Sequence, residues 1–262
     1  MSLLDVLRLD SAEGRERFAR MTERSGVVLD ERVTRAAAEI VSRVRREGDA
    51  ALVDCVRRHD GGSAESAADL RLAVPEVEAA RAAAPEGFAE ALETAIEAVE
   101  AFHRRQVHEG FTTVADGVEL TERRWPLRRA GLYVPGGLAS YPSTVVMTVL
   151  PARVAGVAEI AVATPPASYA GNAALRYTLA RLGVSEVWGM GGAHAVAAFA
   201  YGTATVPRVD KIVGPGNAWV TAAKKLVAGD VGLDGLAGPT EVLIVAEAVA
   251  ADPAWVAADL LA

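Results

Sequence analysis

Residues 159–190 read EIAVATPPASYAGNAALRYTLARLGVSEVWGM, and this stretch decides the fold class. Apolar runs at 159–164 and 186–190 enclose a helical pattern at 173–183. Short apolar runs without strict alternation are typical of parallel strands that are buried on both faces. A strand, a helix and a second strand in this order predict a right-handed crossover unit.

The same alternation continues on both sides of this unit. Predicted strands lie at 131–134, 159–164, 186–190, 211–214 and 241–247, and predicted helices follow them at 143–150, 173–183, 193–202, 217–229 and 253–262. This repetition predicts an α/β fold with a Rossmann-like, doubly wound parallel sheet.

The region before this sheet has a different character. Apolar residues recur at helical spacing in 30–47 and 86–106, whereas Asp116-Gly117 lies in an alternating stretch and predicts a hairpin turn. We therefore predict a mostly helical N-terminal region with a hairpin, residues 1–128, as part of a first domain. A Rossmann-like domain with the ligand crevice follows at 129–238. Residues 239–262 begin a return into the first domain, which is truncated.

Composition excludes several classes of protein. The chain has 51% hydrophobic and 23% charged residues, so it is neither disordered nor a disulfide-rich miniprotein. The net charge of −7 argues against a nucleic-acid partner. Because the single cysteine is Cys55 and neither a secretory signal nor a membrane span is visible, we expect a cytoplasmic protein.

Glycine-rich segments follow the predicted strands, at the edge where open parallel sheets bind ligands. Three of them directly precede a helix, so free N–H groups are expected to face a common crevice and to suit a pyrophosphate or carboxylate. The alternative is that tight turns between strands and helices need glycine in any case. The segments are YVPGG (133–137), GMGGAH (189–194), VGPGN (213–217) and AGPTE (237–241).

No complete catalytic motif is present. His194 occupies the place of the third glycine in a G-x-G-x-x-G fingerprint, and neither a P-loop nor a G-x-S-x-G elbow occurs. His194 is a candidate ligand residue, whereas His59 beside Asp60 fits a helix-end interaction and His103 and His108 are expected at the surface. The residues alone predict a nucleotide-type crevice without an identifiable zinc set or catalytic base.

Longer segments resemble the histidinol dehydrogenase family. They include GLYVPGGLASYPSTVVM (131–147), VDKIVGPGN (209–217) and LAGPTEVLIVAE (236–247), with REGDAALVDCVRRHDG (46–61) in the amino-terminal part. The resemblance implies a homodimeric, zinc-dependent enzyme that oxidises L-histidinol to L-histidine through an aldehyde in two NAD-linked steps.

The resemblance also implies roles for four positions of this chain. Tyr133 and Asn217 are expected to contact NAD. His194 stands where the family has a glutamine, and an imidazole cannot offer the paired donor and acceptor of an amide. Thr240 replaces a serine that contacts the substrate, and it keeps the hydroxyl while adding a methyl group.

The family's zinc ligands and its Glu-His catalytic base belong to segments beyond ADLLA (258–262), so we expect no catalytic or metal-binding residue in this chain and no turnover from it alone. We also expect the apolar faces of 30–47 and 86–106 to lack a packing partner. Two alternatives stay open: a paralogous dehydrogenase of another small polar alcohol, such as a sulfonated diol, and a non-catalytic nucleotide-binding module.

Overall fold

The computed structural model describes residues 8–22, 30–136, 141–236, 244–247 and 251–261. The helices in these ranges are α1 (Ala12–Thr22), α2 (Glu31–Glu47), α3 (Asp49–His59), α4 (Val77–Ala83), α5 (Phe88–Arg104), α6 (Pro142–Val154), α7 (Pro166–Gly171), α8 (Ala173–Arg181), α9 (Gly192–Tyr201), α10 (Ala218–Val227) and α11 (Pro253–Leu261). The strands are β1 (Arg71–Leu72), β2 (Thr112–Ala115), β3 (Val118–Thr121), β4 (Arg129–Tyr133), β5 (Glu159–Thr164), β6 (Glu186–Gly189), β7 (Lys211–Val213) and β8 (Gly232–Leu233).

The main sheet has the strand order β1-β6-β5-β4-β7-β8. Strands β4 to β8 are parallel to their neighbours, and β1 is an antiparallel edge. If the five parallel strands β4 to β8 are numbered 1 to 5 along the chain, their order across the sheet is 3-2-1-4-5. This is the strand order of a doubly wound nucleotide-binding fold. The predicted fold class is confirmed, and the point where the strand order reverses lies between β4 and β7.

Helices cover both faces of the sheet because its strands are apolar on both sides. All five residues of β4 are buried. On one face, α9 packs so closely that a Cβ atom at Gly131 would lie 2.6 Å from the ring of Phe199. On the other face, Val145 and Val149 of α6 join Leu132 in a second apolar cluster.

A helix cap and a hairpin turn form where the sequence predicts them. The Asp30 carboxylate caps α2 by accepting a hydrogen bond from the Arg32 N–H at 2.7 Å. Asp116 and Gly117 have φ angles of +52° and +79°, the conformation of a tight hairpin turn, and they join β2 to β3. The hairpin is therefore confirmed.

The amino-terminal helices do not lack packing partners, so that prediction is wrong. Val41 and Val44 of α2 are buried in one cluster with Phe199 of α9 and Val220 of α10. Ile96 of α5 is buried in the cluster that α6 also forms. The apolar faces of α2 and α5 are covered by the helices that lie on the two faces of the parallel sheet.

The carboxy-terminal prediction is corrected in part. Residues 241–243 of the expected strand 241–247 lie outside the described residues, and 244–247 have no regular structure, with Val245 87% exposed. Instead β8, two residues long, completes the described edge beside β7. The helix after 252 is confirmed as α11, and Asp252 caps it by accepting from the Ala254 N–H at 2.8 Å. No helix among the described residues is long and apolar enough to cross a membrane.

Candidate functional site

A cavity of about 520 Å³ lies at the carboxyl ends of β4 and β7, where the strand order reverses. Ligands of open parallel sheets bind at this position. Tyr133, His194 and Asn217 all line the cavity, although they are far apart in sequence. Thr240, the fourth predicted site residue, lies outside the described residues.

The start of α9 forms one wall of the cavity, and two of its N–H groups are already bonded within the chain. The Gly191 N–H donates to the Asp60 carboxylate at 2.8 Å, and the Gly192 N–H donates to the Tyr133 hydroxyl at 3.1 Å. The prediction of free N–H groups is therefore wrong for these two. The helix N-terminus does bind a carboxylate, but that carboxylate belongs to Asp60 of the same chain.

Tyr133 ends β4 with its side chain only 3% exposed. Burial raises the pKa of Tyr133 to about 12, with a smaller contribution from the charge of Asp60, while the hydrogen bond from Gly192 opposes the rise. The phenol consequently stays protonated at neutral pH. Because its oxygen accepts from Gly192, its O–H is the remaining polar function that can be offered to a ligand.

Asp60 also holds His194. The imidazole Nε2 lies 2.8 Å from Oδ2 of Asp60, and both side chains are buried, at 2% and 8% exposure. His59, the residue before Asp60, places its ring centroid 6.3 Å from that of His194. Asp60, at the end of α3, thus holds the imidazole of His194 in the first turn of α9.

The opposite wall is the loop between β7 and α10. Asn217 caps α10 through Oδ1, which accepts from the Trp219 and Val220 N–H groups at 3.1 and 3.2 Å. Its Nδ2 donors are left for a ligand, since the carbonyl side of the amide is committed to the helix. Trp219 is 39% exposed and adds an aromatic face to the same cavity.

An ion pair between buried Lys224 and partly exposed Asp234 supports this loop on the side away from the cavity. Lys224 Nζ donates to the Gly214 carbonyl at 2.5 Å and to Asp234 at 2.6 Å. Asp234 in turn accepts from the Gly214 N–H at 2.8 Å. Both backbone groups of Gly214 are thereby held, and the position of Asn217, three residues on, follows from this support.

Sequence reasoning missed two residues of the site, Asp60 and Trp219. Asp60 closes α3 and precedes two glycines, so its sequence context indicates only a helix end. Its contact with Gly191 spans 131 residues, and no local pattern encodes such a separation. Trp219 carried a usable signal, because a large aromatic residue directly after a predicted strand-end loop falls on the ligand-binding edge.

The described residues do not bring together a metal site: no group of three or more His, Cys, Asp or Glu side chains among them could hold an ion. His103 lies in the last turn of α5 and His108 follows that helix, and both line a separate groove with Trp125 and Met147. The described side chains that line the cavity at β4 and β7 include hydrogen-bonding groups and aromatic rings.

Comparison with known proteins agrees with this architecture. A profile described as histidinol dehydrogenase matches residues 23–262. The chain belongs to the histidinol dehydrogenase family. The members of this family found by the comparison are oxidoreductases, and the resemblance inferred from the sequence is confirmed.

Individual family members match most of the chain. Histidinol dehydrogenase of Synechococcus sp. is 48% identical over 94% of this chain and 56% of its own length. That of Brucella melitensis biotype 1 is 46% identical over 99% of this chain and 60% of its own length. The crystal structure of histidinol dehydrogenase from Elizabethkingia anophelis has a TM-score of 0.77 at 34% identity, covering 87% of this chain and 53% of that one. The chain therefore spans a little over half the length of these relatives.

Proposed function

We propose that this chain supplies the NAD-binding part of an NAD-dependent histidinol dehydrogenase. One observation carries the proposal: Tyr133, His194 and Asn217 meet in one cavity at the point of strand-order reversal. When bound there, NAD supplies the acceptor for the hydride that leaves the alcohol carbon of the substrate. L-Histidinol, oxidised through the aldehyde to L-histidine, is the substrate that the family membership supports.

The residues of the cavity have separate roles in holding the cofactor. Tyr133 offers its O–H, Asn217 offers Nδ2, and the indole of Trp219 offers a face for stacking. Among the described lining residues there is no lysine or arginine. The cavity therefore suits a ring and its ribose better than the anionic pyrophosphate.

The remaining parts of the proposal concern the complete enzyme. We propose zinc, a homodimeric assembly, cytoplasmic location and a substrate contact by Thr240, together with the division at 1–128, 129–238 and 239–262. The described residues do not provide a ligand set for zinc. For the same reason we expect no NADH from the 262 residues mixed with NAD, zinc and L-histidinol, and measurable turnover would contradict that expectation.

Binding of NAD tests the central proposal directly. Tyr133→Phe removes the O–H that faces the cavity and leaves the ring in place, so we expect NAD affinity measured by calorimetry to fall by about 5- to 10-fold. The matched control is Tyr201→Phe at the other end of α9, whose hydroxyl donates to Asp230 at 2.8 Å, away from the cavity. Equal effects of the two substitutions, or the absence of NAD binding by the unmodified chain, would overturn the proposal.

A further inference from the structure

The Asp60 carboxylate determines which nitrogen of His194 carries a proton. An ionised carboxylate can only accept hydrogen bonds, and Oδ2 of Asp60 accepts from Gly191 and faces Nε2 of His194 at 2.8 Å. Nε2 must therefore carry the hydrogen. In the neutral imidazole, Nδ1 is then left as a bare acceptor.

The second ring nitrogen of His194, Nδ1, is the one that a ligand can reach. No described residue forms a hydrogen bond with Nδ1. Among the described residues, the enclosed side-chain atoms without a partner are Nε of Arg129 and Oγ1 of Thr164, so Nδ1 is accessible and not enclosed. His194 lines the cavity while its side chain is 2% exposed, so the cavity is where this nitrogen can meet a ligand. Nδ1 is thus an accessible acceptor without a partner in the described part of the chain, and a hydrogen-bond donor of a ligand in the cavity can pair with it.

Asn217 contributes the complementary group. Its Oδ1 is occupied by α10, so it offers Nδ2 donors to the same cavity in which His194 offers an acceptor. A ligand edge that carries an amino group beside a carbonyl or ring-nitrogen acceptor satisfies both. We propose that Asp60 is a positioning residue which sets His194 to accept a hydrogen bond from an NH₂ group of the cofactor.

This inference rests on the proposed function, since it identifies which group of NAD the cavity recognises. NAD contains two edges with the required chemistry, the carboxamide of nicotinamide and the amino edge of adenine. Two analogues separate them: nicotinic acid adenine dinucleotide lacks the first amino group, and nicotinamide hypoxanthine dinucleotide lacks the second. We expect the unmodified chain to bind one of these analogues about 10-fold or more weakly than NAD and the other with similar affinity.

Two substitutions separate positioning from charge. Asp60→Asn removes the charge but keeps an oxygen that can accept from both Gly191 and His194, so we expect the discrimination between NAD and the weaker analogue to persist. Asp60→Ala removes the acceptor and frees the imidazole, so we expect the discrimination to fall below about 3-fold. Loss of discrimination in Asp60→Asn as well would show that charge, and not positioning, is responsible.

The outcomes also distinguish this inference from the proposed function. If the unmodified chain does not bind NAD, both fail. If it binds NAD and both analogues equally, only the role of Asp60 and His194 fails. Should Asp60→Ala not fold, ¹⁵N NMR of the imidazole in the unmodified chain still decides: protonated Nε2 with bare Nδ1 supports the inference, and the opposite tautomer overturns it.

Discussion

At the scale of single residues, the cavity is lined by polar side chains that accept hydrogen bonds from backbone N–H groups and keep their own donor hydrogens for a ligand. Tyr133 accepts from the start of α9, and Asn217 accepts from the start of α10. Each is thereby fixed in orientation and left with donor hydrogens on the cavity side. In the proposed function the same side chains bond the first N–H groups of a helix and offer their remaining hydrogens to the cofactor, so a capped helix can still border a binding site.

Glycine at position 214 is required for this arrangement. Its φ is +125°, and a Cβ atom there would lie 2.2 Å from the Tyr133 carbonyl oxygen. We expect Gly214→Ala to lower the free energy of unfolding by about 2 kcal/mol or more, because both the conformation and the contact are strained. NAD affinity should fall with it, since Tyr133 and the Asn217 loop are displaced together.

The control for this substitution is Gly171→Ala. Nothing lies within 4 Å of a Cβ atom at Gly171, and its φ is not positive. Urea unfolding monitored by circular dichroism should show a change within about 0.5 kcal/mol for Gly171→Ala. A Gly214→Ala protein as stable as this control would contradict the role assigned to the Gly214 contact.

At the scale of elements, the amino ends of three strands are joined by one buried side chain. Arg129 starts β4 with 3% of its side chain exposed, and it forms ion pairs with Glu159 of β5 and Glu186 of β6. The Trp188 indole N–H also donates to Glu186, at 2.7 Å. This edge lies opposite the cavity, so it stabilises the sheet without taking part in binding.

The Glu186 interactions make stability depend on pH. Burial alone would raise the pKa of Glu186, but hydrogen bonds from Arg129 and Trp188, with the charges of Arg129 and Arg71, outweigh it and leave the pKa below its ordinary value of 4.5. A lowered folded-state pKa contributes stability that is complete above the unfolded value and is lost as pH falls through the folded one. We expect the free energy of unfolding to decline on acidification below about pH 4.5.

The substitution Glu186→Gln isolates this contribution. At pH 7 it should cost about 2–4 kcal/mol, because Arg129 stays buried with one partner fewer. The difference from the unmodified chain should begin to shrink below about pH 4.5 and should vanish as pH falls through the lowered pKa of folded Glu186. Glu159→Gln is the control, since its side chain is 46% exposed and should matter less. A Glu186→Gln deficit that stays constant between pH 7 and pH 3 would refute this account.

The sequence predicts elements well where pattern and local chemistry agree. Strand β5 lies at 159–164 as its apolar run indicates, and the turn at Asp116-Gly117 forms as its composition requires. The crevice is predictable in position because parallel strands end at one edge. The Asp60 contact with His194 is not predictable, because it joins the end of α3 to the first turn of α9 across 134 residues, a separation that no local pattern encodes.

At the scale of the whole molecule, α2 and α3 share an apolar cluster with the helices on one face of the sheet, whereas α5 belongs to the cluster on the other face. Leu52 of α3 is fully buried in a cluster that contains Met190 and Phe199. The boundary in composition near residue 128 is therefore not a boundary in packing for α2 and α3. Periodicity reveals which face of a helix is apolar, but it does not reveal which surface that face will cover.

Shared packing predicts that α3 and the sheet unfold together. Leu52→Ala should lower the free energy of unfolding by about 2–4 kcal/mol through the cavity it leaves. Circular dichroism and tryptophan fluorescence, to which buried Trp188 contributes, should shift to the same lower urea midpoint. Leu226→Ala on α10, where the side chain is 38% exposed, should shift both signals far less. If Leu52→Ala instead moved only part of the ellipticity and left the fluorescence transition unchanged, the helices would form a separate unit, and Asp60 could leave His194 without unfolding the sheet.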